Sequence, residues 1–260
     1  PTWVPAWDSL TDDERRLYAR MMEVYAGFLT HTDAQVGRVL DFIESLGELD
    51  DTIVVVMSDN GASAEGGPRG ITQGGEIGSP DSNVFLGMSW ATLNNTPFRR
   101  YKHFNHEGGI STPHIAHWPN GIKARNELRT QPGHLIDILP TCLDVAGASA
   151  LKERQGVPVL PPEGRSLVPA FANQPISREA LYWEHEGNAA VRVGDLKLVR
   201  AGRNGPWELY DLKQDRTELQ NLAEAQPEKV KALAALWEAW AVRAQVKPYP
   251  EAAAKKAKAK

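Results

Sequence analysis

Within its first 61 residues the chain encodes a long amphipathic helix and then a run of β-branched residues ending in Asp59-Asn60-Gly61. Thr11-Asp12-Asp13-Glu14 reads as a capping box, in which the Thr11 hydroxyl and Glu14 carboxylate satisfy free backbone donors. Leu17, Met21, Val24, Phe28, Val36, Val39, Leu40, Ile43 and Leu46 then recur at helical spacing, which predicts one buried face. The gap at Thr32 allows a kink or a small-residue contact, and Gly47 is placed to end the helix. Thr52–Met57 reads as a strand buried on both faces. A helix feeding such a strand predicts an α/β layer with a parallel-type sheet.

Beyond Gly61 the pattern loosens. Residues 61–97 hold Gly66-Gly67-Pro68, Gly70, Gly74-Gly75, Gly78 and Pro80, and read as a long irregular stretch. A basic run from Arg99 to His106 leads to Glu107-Gly108-Gly109, and a strand is expected over Ile110–Trp118. His134–Ala146 has helical spacing, and residues 147–179 read as a connecting arm. After residue 180, short strand-like runs at Ala180–Glu184, Ala189–Val193, Leu196–Ala201 and Glu208–Leu212 predict a small antiparallel sheet. A helix follows over about Pro227–Arg243, with Pro227 suited to its first turn. The fold class expected is α/β: a partial parallel-type sheet sandwiched by helices, plus a small C-terminal antiparallel sheet with a packed helix. The expected domains are residues 1–175, residues 176–246, and a disordered Ala/Lys tail at 247–260.

Composition excludes several classes. The chain has 260 residues, 42% of them hydrophobic, and balances 29 Lys+Arg against 33 Asp+Glu. That suits a globular core and argues against disorder over most of the length. Net charge of −4 gives no basic face for nucleic acid. No apolar run approaches the ~20 residues of a membrane span, so neither nucleic acid nor membrane is expected as a partner. A lone cysteine, Cys142, excludes an internal disulfide and a Cys-only metal cluster. Its apolar helical setting predicts a buried, inert thiol. Pro1 replaces an initiator Met, which suggests a processed or truncated piece.

Two segments carry candidate chemistry. Asp59 and Asn60 stand at the carboxyl end of the apolar strand, where ligands bind in open α/β sheets. Their oxygens are hard donors suited to Ca²⁺ or Mg²⁺; the same tripeptide also makes an ordinary turn. Arg99, Arg100, Lys102, His103 and His106 form a basic cluster whose Lys ammonium suits one or two oxygens of sulfate or phosphate. A solvated loop with a Gly-Gly turn accounts for it equally well. His31 reads as structural. His114 and His117 face opposite sides of a strand and make a poor metal pair. His185 has no site to belong to.

Taken together, these motifs resemble the sulfatase family within the alkaline-phosphatase-like superfamily, with the bacterial arylsulfatase branch closest. Asp33–Leu40 is similar to the helix before the family's metal strand, and Thr52–Gly61 to the strand ending in its Asp-Asn/His-Gly turn. Lys102, five positions before Glu107, followed by Gly108-Gly109-Ile110, Pro113 and His117-Trp118-Pro119, resembles the Lys…Glu-Gly-Gly…Pro…Trp-Pro block. Asp137–Thr141 and Gly164–Leu167 resemble two later blocks. Leu209–Leu212, Glu218 and Asn221-Leu222 resemble the C-terminal subdomain.

The resemblance implies hydrolysis of a small-molecule sulfate ester to alcohol and sulfate. In the family a hydrated formylglycine, made from Cys or Ser, attacks sulfur, and a divalent cation binds the sulfate oxygens. By position, Asp59 and Asn60 would be metal ligands for Ca²⁺, with Mg²⁺ as substitute. Lys102 would be the catalytic, substrate-binding cation, with His103 and His106 as neighbours. No Cys/Ser-x-Pro/Ala-x-Arg motif occurs in this sequence, and the family's first metal strand has no counterpart. The chain therefore resembles the C-terminal part of such an enzyme. It is expected to need the N-terminal half as partner and formylglycine from upstream, and to be inactive alone. The alternatives are a phosphate or phosphonate monoester hydrolase of the same superfamily, or a non-catalytic anion-binding module. Localisation stays open between bacterial periplasm and cytoplasm.

Overall fold

The computed structural model describes residues 4–247 and 249. In chain order the elements are helix α1 (Asp12–Ser45), strands β1 (Val54–Met57), β2 (Ile71–Gly74) and β3 (Ser82–Phe85), helices α2 (Met88–Asn94) and α3 (Glu107–Ile110), and strand β4 (His114–His117). Helix α4 (Ile138–Val145), strands β5 (Glu153–Arg154) and β6 (Val157–Pro158), and helix α5 (Val168–Phe171) follow. The chain ends in strands β7 (Leu181–His185), β8 (Asn188–Val193), β9 (Leu196–Arg200) and β10 (Glu208–Asp211), then helix α6 (Pro227–Arg243). The mixed α/β class is borne out. No described helix is long and apolar enough to cross a membrane. The tail expected over 247–260 lies outside the described residues except at 247 and 249.

Two compact units divide the chain: residues 1–95 with 111–178, and residues 96–110 with 179–260. The boundary read from sequence, at 175/176, made no allowance for the excursion of 96–110 into the second unit.

In the first unit the capping box at α1 forms as expected. Thr11 Oγ1 accepts from Glu14 N at 3.2 Å, and Thr11 N donates to Glu14 Oε2 at 3.0 Å. The helix is continuous through Thr32, and Gly47 follows its cap with φ +74. Thr11→Ala is expected to cost about 1 kcal/mol, read as a lower urea midpoint for the unit; an unchanged midpoint would show the cap to be idle.

The single buried face predicted for α1 does not form. Met21 is its only buried residue, while Phe28, Val39, Phe42 and Leu46 are all more than half exposed. Within the unit the segment around residues 70–78 packs on the helix: a Cβ at Gly70 would meet Met21, and Arg20 donates to Ile77 O at 3.0 Å. Strand β1 departs likewise. Its partner is β4, antiparallel, with Val54 opposite His117 and Met57 opposite His114. Parallel pairing needs another strand running the same way, and none of the described strands lies beside β1 in that sense. Val55, Val56 and Met57 are exposed rather than buried on both faces.

The stretch at 61–97 is not irregular. It holds the β2–β3 hairpin and helix α2, its glycines sitting at turns and close backbone approaches. The strand expected over Ile110–Trp118 shortens to β4, and the Glu-Gly-Gly segment before it coils into α3. The arm at 147–179 holds the two-residue ladder β5–β6 and helix α5. Cys142 is exposed, contrary to expectation. Its helix buries only Thr141, and Leu139 on the same side is exposed too, so helical spacing there marks no core.

Two sequence blocks in this unit turn out to be partners. Asp137 is fully buried and accepts from His134 N, Arg165 N and the Arg178 guanidinium at 2.6–3.3 Å. Thr141 Oγ1 accepts from Leu167 N at 2.8 Å. The Asp137–Thr141 and Gly164–Leu167 blocks thus lock each other.

The second unit is a four-stranded antiparallel sheet, ordered β10-β9-β8-β7, as the alternation predicted. One face, with Ala189, Val191, Leu198 and Leu209, packs on Leu233, Trp237 and Ala241 of α6. The other, with Ala190, Val199, Tyr210 and Leu212, is covered by the 96–110 segment. Because both faces are covered, polar residues of the central strands are buried as well.

Candidate functional site

In the first unit, side chains set the turn after β1. Thr112 Oγ1 donates to Ser58 O at 2.7 Å, and Ser58 Oγ donates to Asn60 O at 2.8 Å. Asn60 Nδ2 donates to Asp59 Oδ1 at 3.1 Å, so the two predicted metal ligands are neighbours in space as well as sequence. Asp59 is exposed and Asn60 half-buried. Ala62 N donates to Asn95 Oδ1 at 3.0 Å and fixes the exit of the turn. The arrangement offers one carboxylate and one amide oxygen to a hard cation. His114 and His117, at opposite ends of β4, join no potential ligand cluster among the described residues.

Lys102 lies in the second unit, on the 96–110 segment, and is half-buried. This loop is folded over its own glycines. A Cβ on Gly108 would stand 2.3 Å from Arg99 O, and one on Gly109 would stand 1.9 Å from Phe104 O. No other residue fits either place, which is the physical reason for Glu-Gly-Gly here. Gly108 N donates to Arg99 O at 2.8 Å and closes the loop at its base. Arg100 and His103 take left-handed backbone, with φ +67 and +82. Such values at non-glycine residues persist only where surrounding contacts over-determine them.

Those contacts are a buried ionic cluster against the sheet. Lys197 on β9 is wholly buried, with Nζ 2.8 Å from Glu107 Oε1 and 2.9 Å from Glu218 Oε1. Glu218 Oε2 also accepts from Glu107 N at 2.9 Å. Burial pushes the Glu107 carboxyl up. The Lys197 ammonium, with Arg192 and Arg216 behind it, outweighs burial and holds it below the usual carboxylate range. At the other root of the loop, Arg99 Nη1 donates to Tyr210 Oη at 2.7 Å and Glu218 O at 2.6 Å, and reaches Glu208 Oε2 at 3.2 Å. Burial raises the Glu208 carboxyl, but His106, Tyr210 and Arg99 overcome it and hold it at about 2. Tyr210 is pushed up from its ordinary value by burial and by the Glu208 carboxylate it donates to.

The two histidines of the loop have different settings. His106 is fully buried, its Nε2 3.5 Å from Glu208 Oε2. His103 is half-buried and faces the β7–β8 turn. Its Nδ1 is 2.9 Å from His185 Nε2 and 3.4 Å from Glu186 Oε2. Sequence reasoning left His185 without a site, placed Arg99 in the basic cluster without seeing its role as an anchor, and passed over Lys197 and Asn188 as site builders. Of the last two only Lys197 left a trace: a lysine flanked by Leu196 and Leu198 in a run read as a strand.

Comparison with known proteins places the chain. A family model described as Sulfatase matches residues 5–148, and one described as N-sulphoglucosamine sulphohydrolase, C-terminal, matches residues 99–243. An uncharacterised sulfatase of Schizosaccharomyces pombe is 35% identical over 251 residues, covering 89% of this chain and 45% of its own. An arylsulfatase of Klebsiella aerogenes is 30% identical over 172 residues, covering 62% of this chain and 37% of its own. The crystal structure of Ps i-CgsB superposes with a TM-score of 0.64 at 24% identity, over 83% of this chain and 42% of that one, a likeness of fold. The chain spans less than half the length of each of these proteins.

Proposed function

The chain belongs to the sulfatase family of the alkaline-phosphatase-like superfamily, and from that premise we propose that it is the C-terminal portion of a metal-dependent arylsulfatase. Its reaction is hydrolysis of a small-molecule sulfate ester to alcohol and sulfate. The observation that carries this reading is the way Lys102 is held. Both roots of its loop are tied to buried charges, and the loop closes on a glycine pair that tolerates no side chain. An ammonium on so constrained a segment can meet a sulfate oxygen without reorganising, the condition for electrostatic stabilisation of developing charge. His103 flanks it. His106, buried against Glu208, acts by keeping the loop in shape.

Asp59 and Asn60 fit Ca²⁺, or Mg²⁺ in its place, by donor chemistry: adjacent carboxylate and amide oxygens at a strand end. Ca²⁺ takes about 6–8 oxygens, so these two residues supply part of its shell. A bound divalent cation contributes Lewis acidity and orientation toward the sulfate oxygens. The formylglycine nucleophile belongs to the N-terminal half of the same enzyme. That half is also the partner for the exposed apolar side chains of α1 (Phe28, Val39, Phe42, Leu46) and of β1 (Val55, Val56, Met57). The 260-residue chain by itself has no turnover.

The test uses the longer parent enzyme and matched aryl sulfate and aryl phosphate esters. Sulfate is expected to be cleaved faster, chelation to abolish turnover, and Ca²⁺ to restore it. Asp59→Asn is expected to raise the Ca²⁺ requirement by roughly tenfold or more. Faster phosphate cleavage would transfer the assignment to a phosphate or phosphonate monoester hydrolase. Sulfate binding without turnover in the parent would mean an anion-binding module. Turnover by the 260-residue chain alone would refute its dependence on the other half.

A further inference from the structure

We infer that His103, His185 and Glu186 form a binding site for a divalent transition metal, zinc above all, built wholly within the second unit and independent of the sulfate reading. One potential ligand atom from each residue lies within 4.8 Å of the others. His103 Nδ1 is 2.9 Å from His185 Nε2 and 3.4 Å from Glu186 Oε2. Around a tetrahedral ion with bonds of about 2.0–2.1 Å, neighbouring ligand atoms stand about 3.3–3.4 Å apart. The His103–Glu186 edge already has that length, the His103–His185 edge needs to open by a few tenths of an ångström, and the His185–Glu186 edge lies within 4.8 Å.

The donor arithmetic favours a cation over a hydrogen-bonded trio. A neutral imidazole nitrogen either carries one proton or offers one lone pair. His103 Nδ1 faces His185 Nε2 and Glu186 Oε2 at once, and a hydrogen-bonded arrangement has to share one proton unequally between them or leave two lone pairs facing each other. A cation between the three satisfies all of them. Two imidazoles and one carboxylate match zinc and its first-row neighbours, and are poor for Ca²⁺ and Mg²⁺, which prefer all-oxygen shells. Three protein ligands leave a fourth position for water or a ligand.

The site is also held in place. Asn188, at the start of β8, donates through Nδ2 to His103 O at 2.8 Å and to His185 O at 2.9 Å, and accepts from Gly202 N at 2.9 Å. One buried amide thus staples the loop to the hairpin. Glu186 and Gly187 both have positive φ, and Glu184 Oε1 accepts from Gly187 N at 2.7 Å, which fixes the tight turn carrying Glu186. The left-handed backbone at His103 delivers its ring to the same point.

Titration of the full chain with Zn²⁺ in excess Ca²⁺, followed by calorimetry, tests this. One Zn²⁺ per chain is expected, undisturbed by Ca²⁺. His185→Ala is expected to weaken it by at least about tenfold and Glu186→Gln by less, while Cys142→Ser leaves it unchanged. His185 and Glu186 are exposed at a hairpin tip, so both variants should fold. Co²⁺ in place of Zn²⁺ should give a tetrahedral visible spectrum that His185→Ala removes. Absent Zn²⁺ binding, equal binding by wild type and His185→Ala, or loss of binding in Cys142→Ser would each overturn the inference.

Discussion

Lys197→Met is expected to destabilise the second unit by about 3–5 kcal/mol, the usual cost of removing one partner from a buried ion cluster. Methionine fills nearly the same space, so packing loss is minor. What remains is Glu107 and Glu218, both buried, facing each other without the ammonium between them. Tryptophan fluorescence during urea unfolding would report it, because Trp207 and Trp237 lie in this unit. A second variant separates charge from shape. Lys197→Met combined with Glu107→Gln and Glu218→Gln should recover much of the loss, because the stranded charges are gone. A loss below about 1 kcal/mol for the single variant would mean that the cluster does not hold the loop.

Acid unfolding should change sign with it. In the wild type Glu107 is held below its unfolded value, so its contribution is present above the unfolded value and fades as pH falls through the folded one. Without Lys197, burial dominates and the carboxyl moves above its unfolded value. Its contribution is then present at low pH and lost as pH rises through the folded value. Mild acidification should therefore weaken the wild type and relieve the variant.

Lys102→Ala in the parent enzyme is expected to lower kcat by about 10²–10³, the typical effect of deleting one preorganised charge-stabilising donor. Lys102→Arg should recover only part, because a planar fork does not replace a compact ammonium. Folding should change by less than about 1 kcal/mol, because Lys102 is half-buried rather than part of the core. Pre-steady-state cleavage of an aryl sulfate gives the comparison. Activity within about threefold of wild type would remove Lys102 from the chemistry proposed for it.

Much of this architecture was legible residue by residue. The Thr11–Glu14 box, the Gly47 stop, the four alternating runs after residue 180 and the Pro227 start of α6 are local signals, each written within one turn or one strand. The hairpin inside 61–97 was missed because its glycines were read as breakers, whereas several of them mark points where backbones touch. The face of α1 was misread because spacing reports what a helix can bury, not what lies against it. Cys142 failed for the same reason. Among the candidate residues, Asp59, Asn60 and Lys102 were singled out from strand end, charge cluster and motif order, whereas Lys197 left only a faint trace and His185 was seen without a site.

By itself the amino-acid order determined the periodic elements, the glycine pair that bends the Lys102 loop, and the residue types able to hold a cation or an anion. Those depend on neighbours a few positions away, where sterics and hydrogen bonding act directly. Only the tertiary structure decided that Lys197 is buried between two glutamates and that His103 meets His185. Lys197 and Glu107 stand 90 positions apart and His103 and His185 82, and their meeting follows from which sheet face the 96–110 segment covers. The free energy of a buried charge is set by the atoms that replace its water, and those atoms come from distant parts of the chain.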